Sequence, residues 1–230
     1  MTLRSLLPGQ EADVDLDALA DLYRPPRARW LRLNVIASVN GSVAGSDGTS
    51  QSLTNRTDRK ILGVIRRAAD LVLVGASSVR AEGYFLPRSA RLAILTASGD
   101  LTGHRIPADV APGRILILCP PEAVGMVRAT LGGATIEIVE LPGPRIDPAD
   151  AAAALHRLGH ESIVCEGGPT LAAQLLDADL VDELCLSTSP QLLPLRVPLL
   201  PNLAAGKHLQ LAHLLLDEES TLYARWVLRD

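Results

Sequence analysis

Short apolar runs alternate with segments of helical periodicity along most of the 230-residue chain. In WLRLNVIASVNG, Leu31, Leu33 and Val35 alternate with other residues before Asn40-Gly41, which predicts a strand ending in a turn. DLVLVG (70–75) is apolar throughout and stops at glycine, the pattern of a strand buried on both faces. RLAILT, RILILC, ATIEIVEL and SIVCEGG predict further strands. Helical patterns separate them. NRTDRKILGVIRRAA carries Ile61, Leu62, Ile65, Ala68 and Ala69 on one face, with Asn55 or Thr57 as its cap. ASSVRAEG predicts a short helix or turn, and PEAVGMVRATL and PTLAAQLLDA predict two more helices. DPADAAAALHRLG has Asp147 as cap and Pro148 in its first turn. Near the start, EADVDLDALADLY (11–23) predicts an amphipathic helix that RPPR ends.

After residue 182 the alternation stops. DELCLSTSP, HLQLAHLLLD and STLYARWVLR read as strands without long helices between them, the last two joined by DEES. Repeated βα units closing in such strands predict an α/β fold. Its sheet is central, mixed and mostly parallel, with helices on both faces and antiparallel C-terminal strands. A helical extension over 1–29 and one domain over 30–230 are expected.

A chain of this length buries a core without metals or disulfides. Net charge is −4 and aromatic residues make up 3%, too few basic and stacking groups for a nucleic-acid groove. No apolar run is long enough for a membrane span, and no secretory signal pattern is visible, so a cytoplasmic protein is expected. Cys119, Cys165 and Cys185 form no C-x-x-C pair and read as buried free thiols. His156 and His160 stand four apart without an acid or cysteine to complete a zinc set, and no metal is expected.

The candidate chemistry lies where strands stop. In SIVCEGGPTL a strand ends at Glu166-Gly167-Gly168 and a helix starts at Pro169-Thr170. The first free N–H groups of that helix favour an anion, and two glycines let a phosphate approach the backbone. Glu166 would repel that phosphate, so its side chain is expected to point elsewhere. The glycines alone equally suit a tight βα turn. LVLVGASSVRAEGY is a second strand end of this kind, and two such ends can face one cleft. The Gly/Ser-rich loop 42–54 is a third candidate.

These three segments, in this order, resemble the reductase domain of riboflavin biosynthesis, and STLYARWVL and WLRLNVIASVNG resemble especially its stand-alone actinobacterial members. The strongest match is EGGPTL followed by LLDADLVDELCLSTSP, then VGASSVRAEGY. The resemblance implies a dihydrofolate-reductase-like fold and an NADPH-dependent pyrimidine reductase. Such an enzyme converts 5-amino-6-(5-phosphoribosylamino)uracil to its ribitylamino form. It further implies cofactor contacts at Ala37, Ser52, Thr54, Gly75, Ser78, Glu82, Thr96 and Gly167, Gly168, Pro169, Thr170 and Leu171. Substrate contacts fall at Asn34, Asn40, Ser50, Leu86, Arg88 and Glu166, with Glu166 and Asn40 as catalytic candidates. A homodimer is implied as well. The chain departs from the family at Asn40, where aspartate is usual, and at LLPLRVP, where a glycine pair is usual. TASGD lacks an arginine often found there, and Arg91 or Arg105 would have to offset Asp100. These departures keep two other readings open: a dihydrofolate or pterin reductase, and a nucleotide-binding protein without turnover.

Overall fold

A computed structural model describes residues 3–7, 12–83, 86–132 and 136–229. In chain order the elements are β1 (Leu3–Leu7), β2 (Ala12–Asp13), α1 (Leu16–Leu22), β3 (Trp30–Ser38), α2 (Arg56–Arg67), β4 (Leu71–Gly75) and α3 (Ala76–Glu82). They continue with β5 (Arg91–Leu95), β6 (Ile115–Cys119), α4 (Val124–Leu131), β7 (Glu137–Glu140), α5 (Pro148–Arg157) and β8 (Ser162–Cys165). The chain closes with α6 (Pro169–Asp177), β9 (Glu183–Ser189), β10 (Leu209–Asp217) and β11 (Leu222–Leu228). All strands join one sheet in the order β2-β1-β10-β11-β9-β3-β8-β4-β5-β6-β7. The pairings from β9 through β7 are parallel, and those from β2 to β9 are antiparallel. This is the α/β architecture expected, a mixed sheet with antiparallel C-terminal strands.

Helices cover both faces because successive strand residues point to opposite sides. Val72, Val74, Ile94 and Ile117 meet Ile61, Ile65, Val79 and Val127 of α2, α3 and α4. Leu71, Leu73, Ala93 and Leu116 meet Ala151, Leu155, Leu171 and Leu175 of α5 and α6. Asn55 caps α2 and Asp147 caps α5, each accepting a backbone N–H near the helix start. Cys119, Cys165 and Cys185 are free and buried, and burial pushes the Cys165 thiol up to about 12.

The first 29 residues differ from the expectation of a helical extension. The helix is shorter, Leu16–Leu22 with Asp15 as its cap, and Glu11 lies outside the described residues. Ahead of it, β1 pairs with β10 and carries β2 at the sheet edge. The segment is therefore hydrogen-bonded into the same sheet as the rest of the chain.

Beneath α1 lies a buried ionic cluster. Glu183 on β9 receives Arg32 Nε at 2.5 Å and Arg225 Nη2 at 2.8 Å, and Trp30 Nε1 donates to it at 3.0 Å. Arg32 and Arg225 also donate to the carbonyls of Tyr23 and Leu22, tying the end of α1 to the sheet. His213 stands beside this cluster, edge-on to Tyr23 at 4.8 Å. Burial first, then the Arg225 charge, draws its imidazole down to about 4. A folded-state value below the unfolded one adds stability above pH ~6.5 that is lost as pH falls towards the folded value. Urea midpoints are expected to fall across that window by the equivalent of about 3 kcal/mol. His213→Phe should flatten that part of the profile.

Candidate active site

β3 pairs with β8 only from Trp30 to Leu33, because β8 ends at Cys165. β3 continues to Ser38 along β9. The chain leaving β8 turns away at Glu166, and a cavity of about 180 Å³ opens there, under α2 and α3. Asn34 and Ile36 face it from β3, Glu166, Gly167, Gly168 and Pro169 from the β8–α6 turn, and Ser78 and Glu82 from α3. Ser50 and Thr54 complete the wall from the loop before α2. The structure thus brings the three candidate segments to one cavity.

The β8–α6 turn is built for close approach. Gly167 has φ +119°, which disfavours any side chain. A Cβ on Gly168 would come within 3.0 Å of Ser77 Oγ and 3.2 Å of Ser78 Oγ. The Gly75 N–H donates to the Gly167 carbonyl at 2.8 Å, joining the ends of β4 and β8. No side chain caps α6 and its first turn holds no acid, an arrangement whose positive dipole end favours an anion.

The Glu166 carboxylate is paired with Arg66 of α2. Arg66 grips it with two bonds, Nε to Oε1 at 2.7 Å and Nη2 to Oε2 at 2.6 Å. Burial pushes the Glu166 carboxyl above its ordinary value, the Arg66 bonds and charge draw it back, and Glu82 and Asp58 push it up again. Sequence reasoning missed Arg66, Asp58, Arg59 and Leu62, all of α2 and all on the cavity wall. Asp58, Leu62 and Arg66 are spaced by four, one face of a helix, and that spacing was the available signal.

Other expected contacts lie outside the cavity lining. Ser52 donates to Asp47 Oδ1 at 2.7 Å, within its own loop. Ala37 is buried in β3, and Thr96 is buried at the end of β5, accepting the Gly99 N–H at 3.0 Å. Thr170 is exposed, and Leu171 packs into the core, leaving only its backbone for a ligand. Leu86 is half-buried against the core. Arg88 is exposed just before β5, its carbonyl accepting Arg114 Nη1 at 3.3 Å. Arg91 bonds Glu137 and the Gly113 carbonyl at the start of β5, the opposite strand end from Asp100, and so cannot offset that acid. Arg80 donates to the Asp100 carbonyl at 2.6 Å and is the cation beside it.

Asn40 also departs from the catalytic and substrate-facing place expected for it. It is exposed and not part of the cavity lining, and both ends of its amide are bonded. Nδ2 donates to the Leu193 carbonyl at 2.7 Å, Oδ1 accepts the Leu193 N–H at 3.2 Å, and Ser38 Oγ donates to Oδ1 at 2.8 Å. The unusual Asn40 and the unusual LLPLRVP segment are therefore partners. Further bonds, Val43 N–H to Val197 and Leu199 N–H to Gly41, hold the segment so that Leu199 and Val43 reach the cavity wall. An aspartate here would lose the donor and set a carboxylate against the Leu193 carbonyl. Asn40→Asp is expected to cost about 1.5 kcal/mol locally, so hydrogen exchange at Val43 and Leu199 should speed up roughly tenfold.

A glycine-ended strand opening on an uncapped helix, where β8 stops short in a mixed sheet, is an arrangement at which α/β proteins hold ligands beside their strand ends. Residues 29–222 match the family of the RibD C-terminal domain, and the chain belongs to that family. It is 28% identical over 178 residues to the 2,5-diamino-6-ribosylamino-4(3H)-pyrimidinone 5′-phosphate reductase of Methanothermobacter thermautotrophicus, covering 71% of this chain and 78% of that one. It is 31% identical over 170 residues to the riboflavin biosynthesis protein RibD of Mycobacterium tuberculosis, of which it spans 43%. A pyrimidine reductase-like protein from Corynebacterium diphtheriae superposes with a TM-score of 0.76 at 25% identity, over 88% of this chain and 93% of that one. Among the described residues no helix is long and apolar enough to cross a membrane, and no cluster of acids, cysteines and histidines is placed to hold a metal.

Proposed function

We propose that this protein is an NADPH-dependent reductase of a 6-ribosylaminopyrimidine 5′-phosphate, converting the ribosylamino group to ribitylamino. The observation that carries this reading is the joining of an uncapped helix start and an arginine-gripped acid in one cavity. NADPH fits the chain's own residues. The Gly167–Gly168 turn, where a Cβ on Gly168 would crowd Ser77 and Ser78, and the α6 start suit its pyrophosphate. Arg80 supports a 2′-phosphate beside Asp100. Bound NADPH would supply a hydride; the chain's task is to hold both partners and keep water out.

Ser78, Glu82 and Thr54 belong to the cofactor side of this reading, with Gly75, Ala37 and Thr96 as supporting backbone. Asn34, Ser50 and Glu166 belong to the substrate side, joined by Arg66. Glu166 suits sugar hydroxyls or ring N–H groups, and Arg66 fixes its direction. Cytoplasmic location and a homodimer are part of the same proposal. Exposed Leu192, Leu195 and Val197 on one loop support the dimer, and sedimentation would measure it.

The test is NADPH absorbance in the presence of the phosphorylated ribosylaminopyrimidine, with dihydrofolate in a parallel sample. Oxidation that needs both protein and pyrimidine is the expected result. Oxidation with dihydrofolate alone would make it a pterin reductase, and tight NADPH binding without oxidation would make it a binding protein.

A further inference from the structure

Reduction of a C=N bond needs a proton as well as a hydride. The hydride forms the C–H bond, the π pair moves to nitrogen, and an N–H bond forms there. On the reductase reading above, the cavity must therefore deliver one proton per turnover. Arginine does not release protons in proteins, which sets aside Arg59 and Arg66. Protonating Glu166 would break one arm of its grip by Arg66, a charge-assisted bond. Glu82 Oε1 accepts the Ser50 N–H at 3.3 Å, a donor that cannot reverse.

Asp58 is different. Its Oδ2 accepts Thr54 Oγ1 at 2.6 Å and its Oδ1 accepts Ser187 Oγ at 2.7 Å. A hydroxyl both donates and accepts, so the same two contacts serve the protonated acid and its anion. Thr54 and Asp58 both line the cavity.

We propose that Asp58 is the acid of the reaction and that the Thr54 hydroxyl relays its proton. The Asp58 proton passes to Thr54 Oγ1 as the Thr54 proton passes to the substrate nitrogen. Bound NADPH would supply the hydride, and with it both electrons, to the sugar carbon; the C=N bond is thereby reduced and Asp58 is left as a carboxylate that solvent reprotonates. Ser187 fixes the carboxyl so that Oδ2 faces Thr54. Burial pushes the Asp58 carboxyl above its ordinary value, the hydroxyls of Ser187 and Thr54 and the Arg59 charge draw it down, and Asp217 pushes it up. Glu166 adds a further negative charge across the cavity.

The experiment compares wild type with Asp58→Asn, Thr54→Val and Thr54→Ser. Expected for Asp58→Asn and Thr54→Val is a kcat lower by roughly 100-fold or more, with the NADPH affinity of Asp58→Asn by fluorescence titration within about twofold of wild type. The fall of kcat at high pH should disappear, and Thr54→Ser should recover most of the rate. In the ligand-free protein, the carbon-13 signal of the Asp58 carboxyl should titrate above the ordinary aspartate value. If Asp58→Asn does not fold, the Thr54 pair reads the relay alone. An Asp58→Asn kcat within about threefold of wild type, an unchanged pH limb, or an ordinary carboxyl titration overturns the proposal while leaving the reductase reading intact. Absence of turnover in wild type overturns both.

Discussion

Arg66→Ala is expected to lose both activity and stability. The variant leaves Glu166, with a side chain only 6% exposed, without the fork that holds it. Removing one partner of a buried pair costs about 3–5 kcal/mol, and the lower end applies here because the Arg66 side chain is 23% open to the cavity. Glu166 is already pushed up by burial, and without Arg66 it rises further. A carboxyl raised in the folded state favours folding below the unfolded value and loses that contribution as pH rises through the folded one. Urea unfolding should therefore find Arg66→Ala more destabilised at pH 8 than at pH 5. Adding Glu166→Gln should restore part of the loss, because no charge is then left buried. Activity should not return in the double variant, since neither the direction nor the charge of the acid is recovered. Arg66→Lys should fold better than Arg66→Ala yet remain slow, because an ammonium cannot fork a carboxylate.

The other large effect lies away from the cavity. Glu183 is fully buried between Arg32, 4% exposed, and Arg225, 13% exposed. Glu183→Ala leaves two guanidinium groups facing each other without an anion. A loss of about 3–5 kcal/mol is expected, a large share of the stability of an ordinary domain. Burial pushes the Glu183 carboxyl up, but Arg32 and Arg225 outweigh it and hold it below its ordinary value. Its contribution is therefore present above the unfolded glutamate value and lost in acid as pH falls through the folded one. Replacing all three by apolar residues of similar size should come much closer to wild type, because the desolvation cost leaves with the charges. Calorimetry of the single and triple variants measures the difference. NADPH affinity should be unchanged in the triple variant, since none of the three lines the cavity.

What was legible in the sequence was mostly local. DLVLVG announces a strand buried on both faces and RILILC a further strand, and Asn55, Asp147 and Pro148 mark helix starts that the fold uses. The sequence led to the expectation that Glu166 turns from an anion at Gly167–Gly168; in the structure its carboxylate pairs with Arg66. Arg66 itself was hidden because α2 shows its apolar stripe in sequence, whereas the use of its polar side depends on what packs opposite. The pairing of β1 with β10 was hidden for a similar reason. LRSLL does not alternate, and its partner strand is more than two hundred residues away. Asn40 shows a third limit. Its place in the family pattern pointed to the substrate, while its bonds to Leu193 depend on a loop that only this chain's own residues define.

The most direct test of the central claim follows the hydride. The protein would be incubated with NADPH deuterated at the transferable C4 position and with the phosphorylated ribosylaminopyrimidine. Mass spectrometry of the product should find one deuterium on the sugar carbon next to the nitrogen, and wild-type protein should be required for it. A reduced product without deuterium, or no reduced product while NADPH is bound, would contradict the account.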